Sequence, residues 1–510
     1  EGLMFQVLDK GVDALLALGE VRCTRRFSSL NIGRRMRMSV GISVSKNLLN
    51  LNIVSQDVPP EELLDILKSY RQKKRYYRLK NGDFLSLGEE GALGTLAEMM
   101  ESLRMSPREL MKGNVKLPLY RALYLDKLLE KNEEIYNKRD NVFREMVKDF
   151  KTVDDADFEE PDSLAATMRG YQRNGYRWLR MLEAYGLGGI LADDMGLGKT
   201  LQVLSVLLSA KREGKAGTSL VVSPASLVYN WGEEMREYTP ELSCCFITGN
   251  QEERREKLSH YGEYDVVVTS YDLLKRDIEN YEDKEFLYQV IDEAQYIKNH
   301  TTPAAKAVKA VKSKNRFALT GTPIENRLSE LWSIFDFLIP GYLYGYDVFR
   351  NDFEAPIVRN EDQGALERLQ RMTAPFILRR MKEDVLKDLP EKLEENRYVK
   401  FDPNQQKLYD AQVVHMKQRI VMQDAEEFQR NKIQILAELM KLRQICCDPG
   451  LCFEDYKGES AKLDACVDLV RSAVEGGHKI LLFSQFTSML ELIAGRLRQE
   501  QVSFYTITGA

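Results

Sequence analysis

Five short apolar runs, each closing on polar residues and separated by helix-like stretches, set the strongest limit on the fold: Gly189-Ile-Leu-Ala, Ser219-Leu-Val-Val-Ser, Tyr264-Asp-Val-Val-Val-Thr, Tyr288-Gln-Val-Ile-Asp and Arg316-Phe-Ala-Leu-Thr. Runs that are apolar throughout belong to strands buried on both faces, and helices between successive strands make the sheet parallel. Ligands of such a sheet gather beyond the carboxyl ends of its strands. The expected fold class is α/β, and the polar residues ending each run are where chemistry is expected.

The first run leads into Leu191-Ala-Asp-Asp-Met-Gly-Leu-Gly-Lys-Thr200 and then a helical stretch. This reads as a phosphate-binding loop (P-loop). Gly196 and Gly198 let the backbone approach phosphates, N–H groups at the helix start point at them, Lys199 reaches the β- and γ-phosphates, and the Thr200 hydroxyl ligates Mg²⁺. The candidate ATP-binding residues here are Asp194, Met195, Gly196, Leu197, Gly198, Lys199 and Thr200. The general pattern G-x-x-x-x-G-K-[ST] has glycine where this chain has Asp193, so the match is partial, and a glycine-rich turn with a surface lysine is the plainer alternative. The fourth run ends in Val290-Ile-Asp-Glu-Ala-Gln295. At the end of a strand in a P-loop enzyme, Asp292 holds Mg²⁺ and Glu293 orients and polarises the attacking water, which makes Lys199, Asp292 and Glu293 the catalytic candidates. A bare acidic pair is more often a helix start; here the two motifs support each other.

A chain of 510 residues with 44% apolar residues has room for two to four domains. Its 73 basic and 78 acidic residues nearly cancel, so a nucleic-acid surface has to be a local patch. Seven cysteines, with adjacent pairs at Cys244–Cys245 and Cys446–Cys447, do not resemble a disulfide framework and fit a reducing, cytoplasmic setting. His260, His300, His415 and His478 lie apart, and Cys446, Cys447 and Cys452 lack a fourth partner, so no structural zinc is expected. No apolar run has the roughly 18–20 residues a bilayer span needs, so a soluble protein without a membrane partner is expected. The start at Glu1 and the stop at Ala510 suggest a piece of a longer chain.

Residues 1–155 read as an α+β accessory domain, with alternating patterns in Met38–Val44 and Leu49–Val54 and helical patterns around 94–112 and 119–150. It holds two basic stretches. One contains Arg22, Arg25, Arg26, Arg34, Arg35 and Arg37; the other contains Lys68, Arg71, Lys73, Lys74, Arg75, Arg78 and Lys80, with Tyr70, Tyr76 and Tyr77 among them. Basic runs with aromatics suit nucleic acid, although such runs are more often solvated faces. The acidic segment Asp154–Asp162 marks a linker. An ATPase lobe is expected over 163–325, a charged helical region over 326–455, and the start of a second α/β domain over 456–510, where alternation resumes at Lys479-Ile-Leu-Leu-Phe-Ser and Val502-Ser-Phe-Tyr-Thr-Ile.

Further segments give a family resemblance: Met168-Arg-Gly-Tyr-Gln172, Val222-Ser-Pro-Ala-Ser-Leu227 with Asn230-Trp231, Val268-Thr-Ser-Tyr271, Leu319-Thr-Gly-Thr-Pro323, Phe376-Ile-Leu-Arg-Arg380, Asp388-Leu-Pro390, Leu442-Arg443-Gln444 and Leu482-Phe-Ser-Gln485-Phe. Together with the two motifs above, and in the same order, they resemble the Swi/Snf branch of the superfamily II helicase-like ATPases over roughly 165–510. Taken singly, Thr320-Gly-Thr-Pro is a good turn, Trp178 and Trp231 are core residues, and Arg379-Arg380 is a helix-end charge pair. The N-terminal third resembles the extra domain of some bacterial members. The resemblance implies two RecA-like lobes, the second incomplete, that clamp ATP and Mg²⁺. It implies that Gln172 reads adenine, that Ser223, Pro224, Thr269, Ser270, Tyr271, Ser484 and Gln485 touch DNA, and that Gln295, Thr320, Gly321 and Thr322 couple the nucleotide to lobe movement. Gln295 stands where most relatives have His. The implied activity is ATP-dependent translocation of a monomer on double-stranded DNA, remodelling protein–DNA complexes, with a DNA-bound protein or RNA polymerase as a further partner. An RNA-polymerase-associated ATPase and a strand-separating helicase are the alternatives. The family's last two motifs are expected beyond Ala510, and the arginine they supply is worth about 10³–10⁵ in rate, so this stretch alone is expected to bind ATP and hydrolyse it weakly.

Overall fold

The computed structural model describes residues 15–22, 24, 32–34, 38–46, 48–55, 58–87, 91–106, 109, 112–130, 135–152, 158–165, 167–321, 327–387, 393–421, 432–456 and 458–508. The chain forms two compact units, residues 1–389 and 390–510, each taken by itself below.

The first unit opens with a small α+β region. Its strands are β1 (Ile32–Arg34), β2 (Met38–Ser45), β3 (Leu48–Ser55), β4 (Tyr76–Arg78), β5 (Phe84–Ser86), β6 (Asn114–Pro118) and β7 (Ile135–Arg139). They make a three-stranded sheet ordered β1-β5-β4 and a four-stranded sheet ordered β6-β3-β2-β7. The alternation in the sequence is the burial pattern: Met38, Val40 and Ile42 of β2 and Leu49, Leu51 and Ile53 of β3 are buried while their neighbours are more exposed. The helical pattern expected across 119–150 is interrupted by β7, which pairs parallel with β2 from Met38↔Ile135 to Ile42↔Arg139. An open sheet edge outweighs local propensity there. Asp140 then starts the helix Asn141–Lys151: one carboxylate oxygen accepts from Phe143 N at 2.8 Å and the other from Val44 N at 2.7 Å, so the cap also ties the helix to β2.

The main sheet has seven parallel strands: β8 (Gly189–Leu191), β9 (Ser219–Ser223), β10 (Cys244–Phe246), β11 (Val266–Ser270), β12 (Glu285–Ile291), β13 (Lys312–Leu319) and β14 (Ile377–Leu378), ordered β10-β11-β9-β12-β13-β8-β14. All five apolar runs are strands, and their side chains are buried because helices cover both faces. β14 comes from inside the region expected to be helical. Only two residues long, it carries no periodicity, and its pairing with β8 defines it. Helices Leu328–Leu338 and Gln363–Thr373 precede it.

The α+β region packs onto this second half through charged and aromatic contacts. Arg371 donates to Glu98 at 2.5 Å, Arg368 to Glu101 at 2.5 Å, and the Tyr344 hydroxyl to the Ser102 carbonyl; Arg104 pairs with Asp352. Arg121, buried, lies over the rings of Tyr342 and Tyr344 at 4.9 and 4.6 Å. A desolvated cation over aromatic faces is held by about 2 kcal/mol or more.

In the second unit, helices Ala461–Glu475 and Thr487–Gln499 pack Leu463, Val467 and Val470 against Met489, Ile493 and Leu497. The apolar runs at 479–484 and 502–507 are not strands. A strand exists only by pairing, and neither run has a paired neighbour among the described residues, which leaves Leu481 and Phe483 86% and 87% exposed.

Candidate nucleotide site

The strand register assembles the site. Leu191 lies beside Leu319 and Leu378, and Ile291 beside Ala318 and Val222, so the chain leaves β8, β13, β12 and β9 side by side. The loop after Leu191, Asp292 after Ile291 and Thr320 after Leu319 therefore converge at one edge, where a parallel sheet offers its ligand crevice.

Gly196 and Gly198 have φ of +84° and +72°, a left-handed backbone that no β-carbon-bearing residue adopts cheaply. At Gly198 a β-carbon would also sit 2.4 Å from Gln172 Nε2. That close approach follows from how Gln172 is used: its amide donates to the Leu197 carbonyl at 3.1 Å and its oxygen accepts from Arg169 N at 2.8 Å. Buried on helix Gly170–Ala184, Gln172 here supports the loop's backbone. Leu197 is fully buried and anchors the loop, whereas Met195 is 61% exposed.

Lys199 begins helix Lys199–Arg212 and donates to the carbonyls of Asp193 and Asp194 at 2.8 and 3.3 Å. Burial holds its ammonium below the usual lysine range, opposed by the charges of Glu293, Asp193, Asp292 and Asp194. It forms no ion pair with a described residue, so a half-buried positive charge faces the loop, as a receptor for phosphate requires. The neighbouring Thr200 hydroxyl bonds to Glu234, whose carboxyl is raised above its ordinary range by burial and lowered in part by that bond.

Asp292 is raised by burial, with the indole of Trp231 acting the other way: Trp231 Nε1 donates to Asp292 Oδ2 at 3.0 Å. Its other oxygen accepts from Glu293 N at 2.9 Å, and its carbonyl accepts from the Tyr271 hydroxyl at 2.7 Å. Glu293 sits at φ +51°, a strained conformation for a non-glycine residue, and this turns its carboxylate toward Gln295. Gln295 Nε2 donates to Glu293 Oε2 at 2.8 Å while its carbonyl oxygen accepts from the Thr320 hydroxyl at 3.2 Å. Gly321 closes the gap, where a β-carbon would lie 2.5 Å from Met195 and 3.5 Å from Lys199 Nζ. Thr322 lies outside the described residues.

A further side chain completes the loop from far away in sequence. Arg380 pairs with Asp193, its Nε donating at 2.9 Å, and also donates to Gln202 at 2.8 Å and to the Tyr171 carbonyl. Asp193 is fully buried, so the position where the common pattern carries glycine is a charge neutralised from β14's far end. Asp194 N donates to the Arg380 carbonyl at 3.0 Å, and Lys382 N donates to Asp194 Oδ2 at 3.0 Å. Sequence reading placed Trp231 and Arg380 in segments that carry the family resemblance, and singly as a core residue and a helix-end charge, but gave neither a role at the nucleotide site, and it missed Glu234. The one available signal for Arg380 was the unusual Asp193.

The residues expected at DNA behave differently. Ser223, Pro224, Thr269, Ser270 and Tyr271 are buried. Ser223 bonds the Pro224 carbonyl at 3.3 Å, Thr269 the Ile247 carbonyl at 3.3 Å, and Ser270 caps helix Tyr271–Arg276 by accepting from Leu273 N at 3.3 Å. Their side chains are used inside the lobe; the exposed positions beside them are Ala225, Ser226, Tyr229, Asn230 and Asp272. Ser484, in the second unit, accepts from Phe486 N at 3.2 Å beside Gln485.

Oxygen donors of the type a hard divalent cation prefers, Thr200 and Asp292, with Glu234 bonded to the first, thus flank a glycine-rich loop bearing an unneutralised ammonium, a set that fits ATP with Mg²⁺. Among the described residues no helix is long and apolar enough to cross a membrane.

Residues 171–451 match the SNF2-related domain, and residues 1–161 match the bacterial SNF2 helicase associated domain. An uncharacterised ATP-dependent helicase of Mycoplasma genitalium is 37% identical over 67% of this chain and 32% of its own length. The TATA-binding protein-associated factor of Saccharomyces cerevisiae is 34% identical over 70% of this chain and 20% of its own. The solved Sulfolobus solfataricus SWI2/SNF2 ATPase core in complex with dsDNA is 39% identical, covering 68% of this chain and 73% of that one, with a TM-score of 0.44. The chain spans about a third of the length of the first of these curated relatives. With ordered motifs, a parallel sheet that brings them together and a family match over more than half its residues, this chain belongs to the SNF2-related family.

Proposed function

We propose that the chain is the nucleotide-driven part of an ATPase that translocates on double-stranded DNA and remodels protein–DNA complexes without separating strands. The observation that carries this reading is the Glu293–Gln295–Thr320 chain of hydrogen bonds, which ties the residue facing the attacking water to the strand end that leads out of the nucleotide site. In this reading the loop 194–200 cradles the triphosphate, and Thr200 and Asp292 hold Mg²⁺. The cation supplies charge neutralisation for the transferring phosphoryl group. Lys199 leaves the carbonyls of Asp193 and Asp194 to meet the β- and γ-phosphates. Glu293 orients water and accepts its proton. Gln295 passes the resulting shift in Glu293 to Thr320 and the segment after it. The proposed parts are an accessory domain over 1–155, the ATPase lobe over 163–325, a helical region over 326–455 and the opening of the second lobe over 456–510.

Relatives named as ATP-dependent helicases support ATP-driven action on nucleic acid, and the 39% sequence identity to a core solved with dsDNA favours duplex DNA as the track. The test is ATP turnover of the protein extended through the family's last two motifs, beside this stretch alone, with duplex DNA, single-stranded DNA and RNA, each beside Lys199→Ala, together with binding of a fluorescent ATP analogue. Stimulation chiefly by duplex, without unwinding, is the expected result. Equal stimulation by single strands turns the reading to a strand-separating helicase, and stimulation only with RNA polymerase present turns it to a polymerase-associated ATPase.

A further inference from the structure

We propose that the accessory region carries a second duplex-DNA site, a cationic concavity formed by the end of helix Pro60–Arg71, the turn after it and β4. The proposal rests on the reading of the protein as a duplex-DNA motor and adds a grip on the same track away from the nucleotide site.

Charge segregation carries the argument. Lys68, Arg71, Lys73, Lys74, Arg75, Arg78 and Lys80 fall within thirteen residues of a chain whose net charge is −5, and all seven are exposed. Lys68, Arg71, Lys73, Lys74, Arg75 and Lys80 form no ion pair with any described residue. A surface serving only solubility interleaves both signs; like charges gathered on one face repel one another, and a polyanion that spans them relieves the repulsion. They also surround a depression rather than a convex face. Ser69, Lys74, Arg75, Tyr77, Arg78 and Lys80 line a concavity of about 680 Å³.

The aromatics define the ligand further. Tyr76 and Tyr77 are half-buried, Tyr76 stands edge-on to Phe84 at 5.7 Å, and Arg78 lies over the same Phe84 ring. Both tyrosines are only partly exposed, which limits the ring surface either offers to a base. Tyr77 is raised above the ordinary tyrosine range by burial and then by Asp65 and Glu62, so its hydroxyl stays a neutral donor. Glu62 is itself buried, accepting from Lys80 N at 3.0 Å, and braces the strand. Exposed cations set around partly buried rings suit the sugar-phosphate backbone, which carries no sequence information. Stacked bases with continuous phosphates on the outside are the property of a duplex, which favours it over single strands.

The test compares the protein extended through the family's last two motifs with two triple variants of it, Lys74→Gln/Arg75→Gln/Lys80→Gln and the charge-preserving Lys74→Arg/Arg75→Lys/Lys80→Arg. Anisotropy of a labelled duplex oligonucleotide gives Kd across a salt series, thermal melting checks the fold, and duplex-stimulated ATP turnover is followed in parallel. Each phosphate contact contributes about 0.9 to the slope of log K against log salt. The neutral variant is expected to lose about 2–3 from that slope and at least about ten-fold in affinity at low salt, with the charge-preserving variant unchanged. A neutral variant that keeps the parent's slope overturns the site while duplex-stimulated turnover leaves the motor reading standing. Tighter binding of single-stranded RNA than of duplex, lost in the neutral variant, overturns the choice of partner. Absence of duplex binding and of duplex-stimulated turnover in every protein sinks the motor reading and the site together.

Discussion

The guanidinium of Arg380 neutralises the carboxylate of Asp193, so a residue 187 positions further along the chain holds the start of the phosphate loop. Asp193 is fully buried and the Arg380 side chain 13% exposed. Breaking such a pair strands a charge and costs about 3–5 kcal/mol. Arg380→Met and Asp193→Gly are each expected to destabilise the first unit by about that much, although the second restores the common loop pattern. The double variant should lose less than the sum of the two. Urea unfolding of the four proteins in a mutant cycle checks this, and strict additivity would refute the pairing.

Asp292 has a folded-state pKa raised by burial above its unfolded value. On the proposal that Asp292 holds Mg²⁺ as a carboxylate, cation affinity and turnover should fall as pH drops through that raised value. Trp231 favours the charged form, and Trp231→Phe is expected to move this acid limb further toward neutrality. Stability has the opposite sense. A raised folded pKa contributes stability below the unfolded value, which is lost as pH rises through the folded one. Asp292→Asn should therefore raise Tm at pH 7 while abolishing turnover, with the Tm difference closing in acid. Melting curves at several pH values decide it.

Gln295 bridges Glu293 and Thr320 without touching the phosphate loop. Gln295→Ala is expected to leave ATP-analogue affinity within about two-fold and to cut duplex-stimulated turnover by about ten-fold, which corresponds to about 1.4 kcal/mol in the barrier. A matching loss of affinity would mean that the bridge shapes the binding site and does not couple it.

Arg121 joins the accessory region to the main sheet's helices through rings at 342 and 344. Arg121→Ala should lower stability by about 2 kcal/mol or more and speed proteolysis of the first unit. Limited proteolysis with and without the substitution gives the answer; an unchanged cleavage pattern and Tm would show that the ionic contacts of Arg368 and Arg371 suffice.

The two motif strands and the five apolar runs could be read from sequence because continuous burial leaves a mark that needs no partner. Lys199, Asp292, Gln295 and Thr320 converge because those strands lie in one register. What escaped reading was pairing at a distance. Ile377–Leu378 has no pattern of its own, Arg380 acts through distant partners such as Asp193 and Gln202, and β7 exists because β2 has an open edge. The DNA contacts at Ser223 and Thr269–Tyr271 came from the family resemblance, and a motif match does not tell which of its side chains are buried, as all four are here. In the second unit the apolar runs at 479–484 and 502–507 have the strand pattern without a neighbour to complete it.

The position of β14 also orders events on the ribosome. Residues 191–200 emerge early, but their bracing strand and Arg380 follow some 180 residues later, on the order of ten to thirty seconds at ordinary elongation rates. Throughout that interval Asp193 is a carboxylate awaiting its counter-charge, and the nascent lobe has an open edge at β8. Slow translation through the helical region would lengthen the exposure, making codon usage between residues 320 and 380 a determinant of how much of the synthesised protein reaches a nucleotide-competent state.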